Sequence, residues 1–195
     1  AAASSLGLML ARACREDGIA MVGIVRSQPA ADLLRSAGAT HVCDSSSAGF
    51  ERQLEQALAS TGARLAFDAT GGGSLAGTLL ATMERVASAA QAGYSPYGSG
   101  LHKQVYFFGG LDPEPVTFRR NFGMAWGMGG WLMQPVLARL GRERVEAMKE
   151  RVRNGLQTTF ATAFGGTMRL EEMLVPERLT ACARFGTGAK HMVTP

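Results

Sequence analysis

Four short apolar runs, separated by helix-length stretches, constrain this chain more than any other feature. IAMVGIV (19–25), THVCD (40–44), RLAFDA (64–69) and QVYFFGG (104–110) each have the length of a strand. Apolar residues run through them without strict alternation, as in strands covered on both faces. The intervening residues carry helix signals. A helix is predicted from Ser4 to Glu16 with Leu6, Leu10 and Ala13 on one stripe, stopped by Gly18. A second spans Gln28 to Ala37, with Leu33 and Leu34 inward and Gly38 closing it. Ser45–Ser47 offer an N-cap for a third, Phe50 to Ser60, and a fourth follows from Leu75 to Val86. Strands alternating with helices predict an α/β fold: a Rossmann-like, doubly wound parallel sheet with helices on both faces. Ligands of such sheets lie beyond the carboxyl ends of the strands. The glycine clusters Gly71–Gly73 and Gly109–Gly110 fall at two of those ends.

After Leu111 the character changes. Asn121 to Leu140 is rich in glycine, methionine and tryptophan and is expected to be helical. Arg142 to Arg153 reads as a charged, solvated helix. A strand is expected over Gln157–Phe164, helices over Leu170–Leu174 and Pro176–Phe185, and a closing strand over AKHMVTP. No internal repeat is evident. Hydrophobic residues make up 46% of the 195 positions, enough to bury a sizeable core. The net charge of +4 is dispersed, which suits solubility and an anionic ligand and speaks against a nucleic-acid partner.

Neither membrane-like segment reads as a span. The N-terminal run has the reverse of a secretory signal's charge order, in a chain without an initiating Met. The uncharged stretch Asn121–Ala138 is broken by glycines and Pro135. Cys14, Cys43 and Cys182 are far apart and form no Cys-x-x-Cys pair. Each is expected to be a small buried hydrophobe in a reducing compartment. A soluble, cytoplasmic protein without a membrane partner is the expectation.

The opening stretch AAASSLG admits two readings. It is either the small-residue start of an ordinary helix or a relaxed G-x-G-x-x-G, read as Ala2-x-Ser4-x-x-Gly7. Such a loop lets the amides and dipole of a helix N-terminus meet a pyrophosphate. About twenty residues later a dinucleotide fold places the group that reads the adenine ribose, an acid for NAD or a basic residue for NADP. Here the strand ends in Arg26-Ser27, with no acid before Asp32. Arg26 brings a fixed cation and a donor fork, and Ser27 a hydroxyl. The predicted cofactor is NADP(H).

AAASSLG, VRS, LRSAGATHVCD, FDATGGG, FFGGLD and the terminal GAKHMVTP, in this order, resemble the medium-chain dehydrogenase/reductase superfamily. The likeness is to its zinc-independent, quinone-oxidoreductase-like members, and it covers nearly the whole chain. It implies a backbone phosphate site at Ser4, Ser5, Leu6 and Gly7, a cofactor-side turn at Thr70 and Gly71, and nicotinamide contact at Phe108, Gly109 and Gly110. It implies a homodimer formed beside the last strand of the sheet. The pattern is departed from at Ser4-Ser5, where the family carries two glycines. The family's N-terminal catalytic domain and first Rossmann strand, which precede this loop, are also absent. The expected division is a dinucleotide-binding domain over 1–155 and a return toward a catalytic domain over 156–195.

No catalytic group stands out. His41, His102 and His191 lie at no zinc-ligand spacing. Tyr94 and Tyr97, in GYSPYGSGLHK, are candidates to donate to a reduced carbonyl oxygen, or are packing residues. Lys103 is read as solvated. Trp126 and Trp131 shape an acceptor pocket, a subunit interface or the core. The function expected is NADP(H)-dependent, zinc-independent hydride transfer to a small acceptor, a quinone or an activated carbon–carbon double bond. The alternative is a non-catalytic NADPH sensor or interaction module. A methyltransferase is disfavoured because Arg26-Ser27 replaces its ribose-binding acid.

Overall fold

The computed structural model of the protein describes residues 1–182 and 190–195. Its elements alternate as the apolar runs require. Helix α1 (Ser5–Glu16) is followed by strand β1 (Val22–Val25), α2 (Gln28–Ser36), β2 (His41–Asp44), α3 (Phe50–Thr61), β3 (Leu65–Asp68), α4 (Leu75–Ala89) and β4 (Lys103–Phe107). Strand β1 pairs in parallel with β2, Val22 opposite His41 and Val25 opposite Asp44. Strands β3, β4 and β5 (Trp126–Gly130) form a second parallel sheet in that order.

The two sheets share one core. Cys43, Leu54, Leu58, Leu80, Met83, Val105 and Phe122 bury together, with Val22, Ile24 and Phe107 packed against them. Helices α3 and α4 therefore tie β1–β2 to β3–β4–β5 through side chains. A second cluster lies beneath α1 and α2, where Ala3, Ala11, Val25, Ala30, Ala31 and Leu34 meet. Alanines here let backbones approach closely, so the expected stripe of α1 turns outward and Leu6 and Leu10 are exposed. Likewise Leu34 is fully buried, whereas Leu33 faces solvent.

Three expectations are corrected, two of them beyond β4. The glycine-rich segment is not one helix but β5 followed by α5 (Met133–Leu140). Glycine is a poor helix former, and ladder bonds bracket the strand: Lys103 N donates to Ala125 O at 3.0 Å, and Trp131 N to Phe107 O at 2.7 Å. Gln157–Phe164 is not a strand. Amides of Thr158 and Phe160 turn back to Gly155 O, and strand β6 (Phe164–Arg169) starts where that expectation ended. Third, α3 is entered through Gly49, with no side-chain cap.

Helix α6 (Arg142–Asn154) buries no residue, as its charge pattern predicts. Arg151 joins it to the end of α1 through Asp17 at 2.8 Å. Strand β6 leads through a 3-10 turn (Leu170–Leu174) to α7 (Pro176–Cys182) and pairs in parallel with β7 (Lys190–Thr194). The remainder of the helix expected to reach Phe185 lies outside the described residues. Cys43 is buried, but Cys182 is exposed. No helix among the described residues is long and apolar enough to cross a membrane.

Lys103 is fully buried rather than solvated. Its ammonium donates to Glu84 Oε2, to Ser99 Oγ at 3.0 Å and to Leu101 O at 3.0 Å. Glu84 also accepts from Ser88 Oγ at 2.7 Å and from Ser99 N and Oγ. Every donor of the ammonium has a partner, as a buried charge requires. Burial pushes the Glu84 pKa up, but hydrogen bonds from Lys103, Ser99 and Ser88 outweigh it and hold the value at about 2, below the ordinary 4.5. A depressed carboxylate pKa stabilises the fold above the unfolded value and loses that contribution as pH falls toward the folded one. Unfolding stability should therefore fall between pH 4.5 and about 2, and Glu84→Gln should flatten that part of the curve. Lys103→Met should cost about 3–5 kcal/mol in urea unfolding, since it leaves a buried charge unpaired. An unchanged midpoint would rule out the pair as a structural tie.

Candidate dinucleotide site

Parallel strands end on one edge of their sheet, and four loops stand at the carboxyl ends of β1, β3 and β4. The first is AAASSLG. Ser4 is the N-cap of α1, with extended backbone at φ −70° and ψ 165°. Its hydroxyl accepts from Gly7 N at 3.2 Å. The amides of Ser5 and Leu6, at the start of the helix, have no preceding helical carbonyl to bond. They stand at the end of the helix where its dipole favours negative charge. Gly7 packs against the loop that precedes it. A β-carbon there would strike the carbonyl of Ala2, so its bare side admits the fold-back of the loop itself. Ala2 N reaches Ile24 O at 3.3 Å, fixing the loop to β1.

Arg26 and Ser27 follow β1 directly and are exposed. Arg26 makes no ion pair among the described residues. Ser27 caps α2, its hydroxyl accepting from Ala30 N at 3.4 Å.

The turns after β3 and β4 lie backbone against backbone. Gly71 has φ +71°, and a β-carbon on it would collide with Gly109 O. A β-carbon on Gly109 would sit 2.5 Å from Ala69 O. Phe108 N donates to Asp68 O at 3.0 Å, and Asp112 N to Thr70 O at 2.8 Å. Asp68, buried at the end of β3, organises this junction. Its Oδ1 accepts from Thr70 N at 2.7 Å and Thr70 Oγ1 at 2.5 Å. Its Oδ2 is buried without a partner among the described residues. Sequence reasoning missed this role, although an Asp two residues before a Thr and a glycine is a turn-capping signal. Phe108 is half-exposed beside Gly110.

Tyr94 and Tyr97 are not brought to this edge. Their loop joins α4 to the start of β4, so it lies at the opposite, amino-terminal edge of the sheet. Tyr94 is 94% exposed and Tyr97 71%. Trp126 packs edge-on against Phe122, with centroids 4.8 Å apart, and belongs to the core. Trp131 stands at the exposed rim against Phe67, 6.1 Å away.

Fold and edge together define the class: a doubly wound α/β unit with a helix N-terminus and glycine turns converging at the strand ends. No protein-family model matches the chain, and no curated protein matches it by sequence. Solved structures share its fold. A putative NADPH:quinone reductase from Mesorhizobium loti superposes with a TM-score of 0.75 at 19% identity, over 100% of this chain and 52% of that one. A putative NADPH:quinone reductase from Bacillus thuringiensis gives 0.72 at 15% identity, over 100% and 54%. The Etr1p/NADP/crotonyl-CoA complex gives 0.66 at 16% identity, over 99% and 52%. This chain thus spans about half the length of these neighbours.

The backbone junction makes a direct prediction. Gly71→Ala adds strain at a positive φ and a collision, and should cost about 1–3 kcal/mol of unfolding free energy. Gly110→Ala, where a β-carbon meets nothing, should stay within about 0.5 kcal/mol. Equal midpoints for the two variants would mean that the turns are not in contact.

Proposed function

We propose that this chain is the cofactor-binding part of an NADP(H)-dependent oxidoreductase. In this reading it transfers hydride, without zinc, to a small acceptor: a quinone or an activated carbon–carbon double bond. One observation carries the reading. Arg26-Ser27 and the α1 N-terminus stand at the carboxyl end of β1 in one parallel sheet, and Thr70-Gly71 and Phe108–Gly110 follow at the carboxyl ends of β3 and β4 in a second sheet that shares its core. This is the order of the 2′-phosphate, the pyrophosphate and the nicotinamide in an extended NADP(H). The site residues fit that molecule: uncommitted amides at Ser5 and Leu6 for the pyrophosphate, an unpaired guanidinium at Arg26, and glycines where a β-carbon would close the floor.

Bound nicotinamide would supply the hydride. The chain's own residues would orient it, the Gly71–Gly109 floor setting its height and Phe108 covering one side. The solved neighbours support the cofactor and acceptor class, since two are described as putative NADPH:quinone reductases and one holds NADP with crotonyl-CoA. Residues 156–195 are read as a return toward a second domain, and the cytoplasm as the compartment. A second reading is a module that binds NADPH without turnover. The placement of Tyr94 and Tyr97 at the far edge favours it for the chain taken alone, because it takes both tyrosines away from Phe108.

A homodimer through the β5 edge is part of the proposal. Among the described residues that strand pairs only with β4, and no charged residue protects the edge from Asn121 to Ala138, where edges usually carry one. Gly129→Lys should convert a dimer to a monomer in sedimentation, and a monomeric unaltered chain would sink the dimer.

The cofactor assignment is tested by parallel fluorescence titrations with NADPH, NADH and adenosylmethionine. Selective NADPH binding is expected. Arg26→Ala should weaken it by about 1.5–3 kcal/mol, as for a hydrogen bond to a charged group, and leave NADH nearly unaffected. Equal affinity for NADPH and NADH would remove Arg26 from the site.

A further inference from the structure

The pairing of β1 with β2 brings a second loop to the Arg26 corner. Val25 lies opposite Asp44, so Arg26-Ser27 and Ser45–Ser47 leave the sheet side by side. Ser45 fastens the two turns together, its N and Oγ both reaching Val25 O, at 2.8 and 3.0 Å.

A hydroxyl has one proton to give, and hydrogen-bond accounting separates the serines at this corner. Ser45 gives its proton to Val25 O. Ser46 gives its proton to Asp44 Oδ1 at 2.7 Å, and its amide reaches the same oxygen at 2.9 Å. Ser27 and Ser47 only accept, from Ala30 N at 3.4 Å and Gly49 N at 3.2 Å. Their protons have no acceptor among the described residues. A phosphate offers acceptors alone, so it selects for such donors beside a guanidinium. A 2′-hydroxyl can instead donate to a carboxylate, as in the NAD-type arrangement. Asp44 is the carboxylate at this corner, and Ser46 engages one of its oxygens through two donors.

We propose that the Asp44–Ser47 turn sets the coenzyme preference: Ser47 donates with Ser27 to the 2′-phosphate facing Arg26, while Ser46 holds Asp44 away from the 2′ position. The proposal rests on the NADP(H) reading above. Hydrogen bonds from Ser46 also hold the Asp44 carboxyl below its ordinary range, so its charge persists at neutral pH. Ser46→Ala therefore releases a carboxylate that repels the phosphate and accepts from the 2′-hydroxyl. Asp44→Asn removes that charge.

The test is calorimetric titration of the 195-residue chain with NADPH and NADH. Ser47→Ala should raise the NADPH dissociation constant about 5–10-fold with NADH within about two-fold, the loss of one hydrogen bond to an anion. Ser47→Thr keeps the hydroxyl and should restore the original ratio, which separates donation from a folding defect. Ser46→Ala should shift the NADPH/NADH ratio toward NADH, and Asp44→Asn toward NADPH. Selective NADPH binding by the unaltered chain, with a ratio unmoved in Ser47→Ala or moved the same way in Ser46→Ala and Asp44→Asn, overturns this assignment alone. No NADPH binding by the unaltered chain overturns it together with the cofactor reading.

Discussion

The contact between the turn after β3 and the turn after β4 is made by main-chain atoms, with no side chain to cushion it. Gly71 faces the Gly109 carbonyl and Gly109 faces Ala69, so neither turn can shift without displacing the other. Asp68 fixes the first turn through Thr70, and Asp112 N hangs the following loop from Thr70 O. That loop then runs over the start of α4, where Thr117 N reaches Gly73 O at 2.9 Å. One rigid junction thereby sets the height of the strand ends, the seat of α4 and the path into β5. An interior this tightly packed has few intermediate arrangements available.

The first part of the fold was legible because several local signals agreed. Apolar runs and left-handed glycines at 18 and 38 pointed to the same boundaries. Legibility failed where a decision depended on tertiary pairing. WGMGG has no strand propensity to speak of, and only the β4 ladder makes it a strand. Lys103 looked like a surface residue because its partner Glu84 is nineteen positions away, on a helix whose inward face no periodicity marks as polar. Ser4, Gly7, Arg26 and the glycine turns could be assigned to the carboxyl ends of the strands by spacing alone. Tyr94 and Tyr97 could not, since an aromatic loop reads alike at either edge of a sheet. The Ser45–Ser47 turn was taken for a helix cap, and its neighbourhood with Arg26 emerged only from the strand register.

Cohesion between β1–β2 and the three-stranded sheet comes from side chains rather than a continuous ladder. Val22 and Ile24 reach the cluster around Leu80 and Val105 from one side, and Val25 joins the alanines of α1 and α2 from the other. The loop AAASSLG lies along this seam, anchored on one flank by Ile24 O. The seam thus runs through the part of the edge where a pyrophosphate would lie. Ligand binding there would bear on both halves at once, which links site occupancy to the stability of the whole unit.

The burial of Lys103 also governs how the protein meets reactive chemistry. Lys103, Lys149 and Lys190 are its lysines, and the two outside the core sit on α6 and β7, elements remote in the chain from the strand-end loops. Among the lysines, an acylating reagent meets those two in the folded protein, because the third is sealed and has all its protons engaged. Modification at Lys103 would then count opening events of the fold, a chemical clock written into a single side chain.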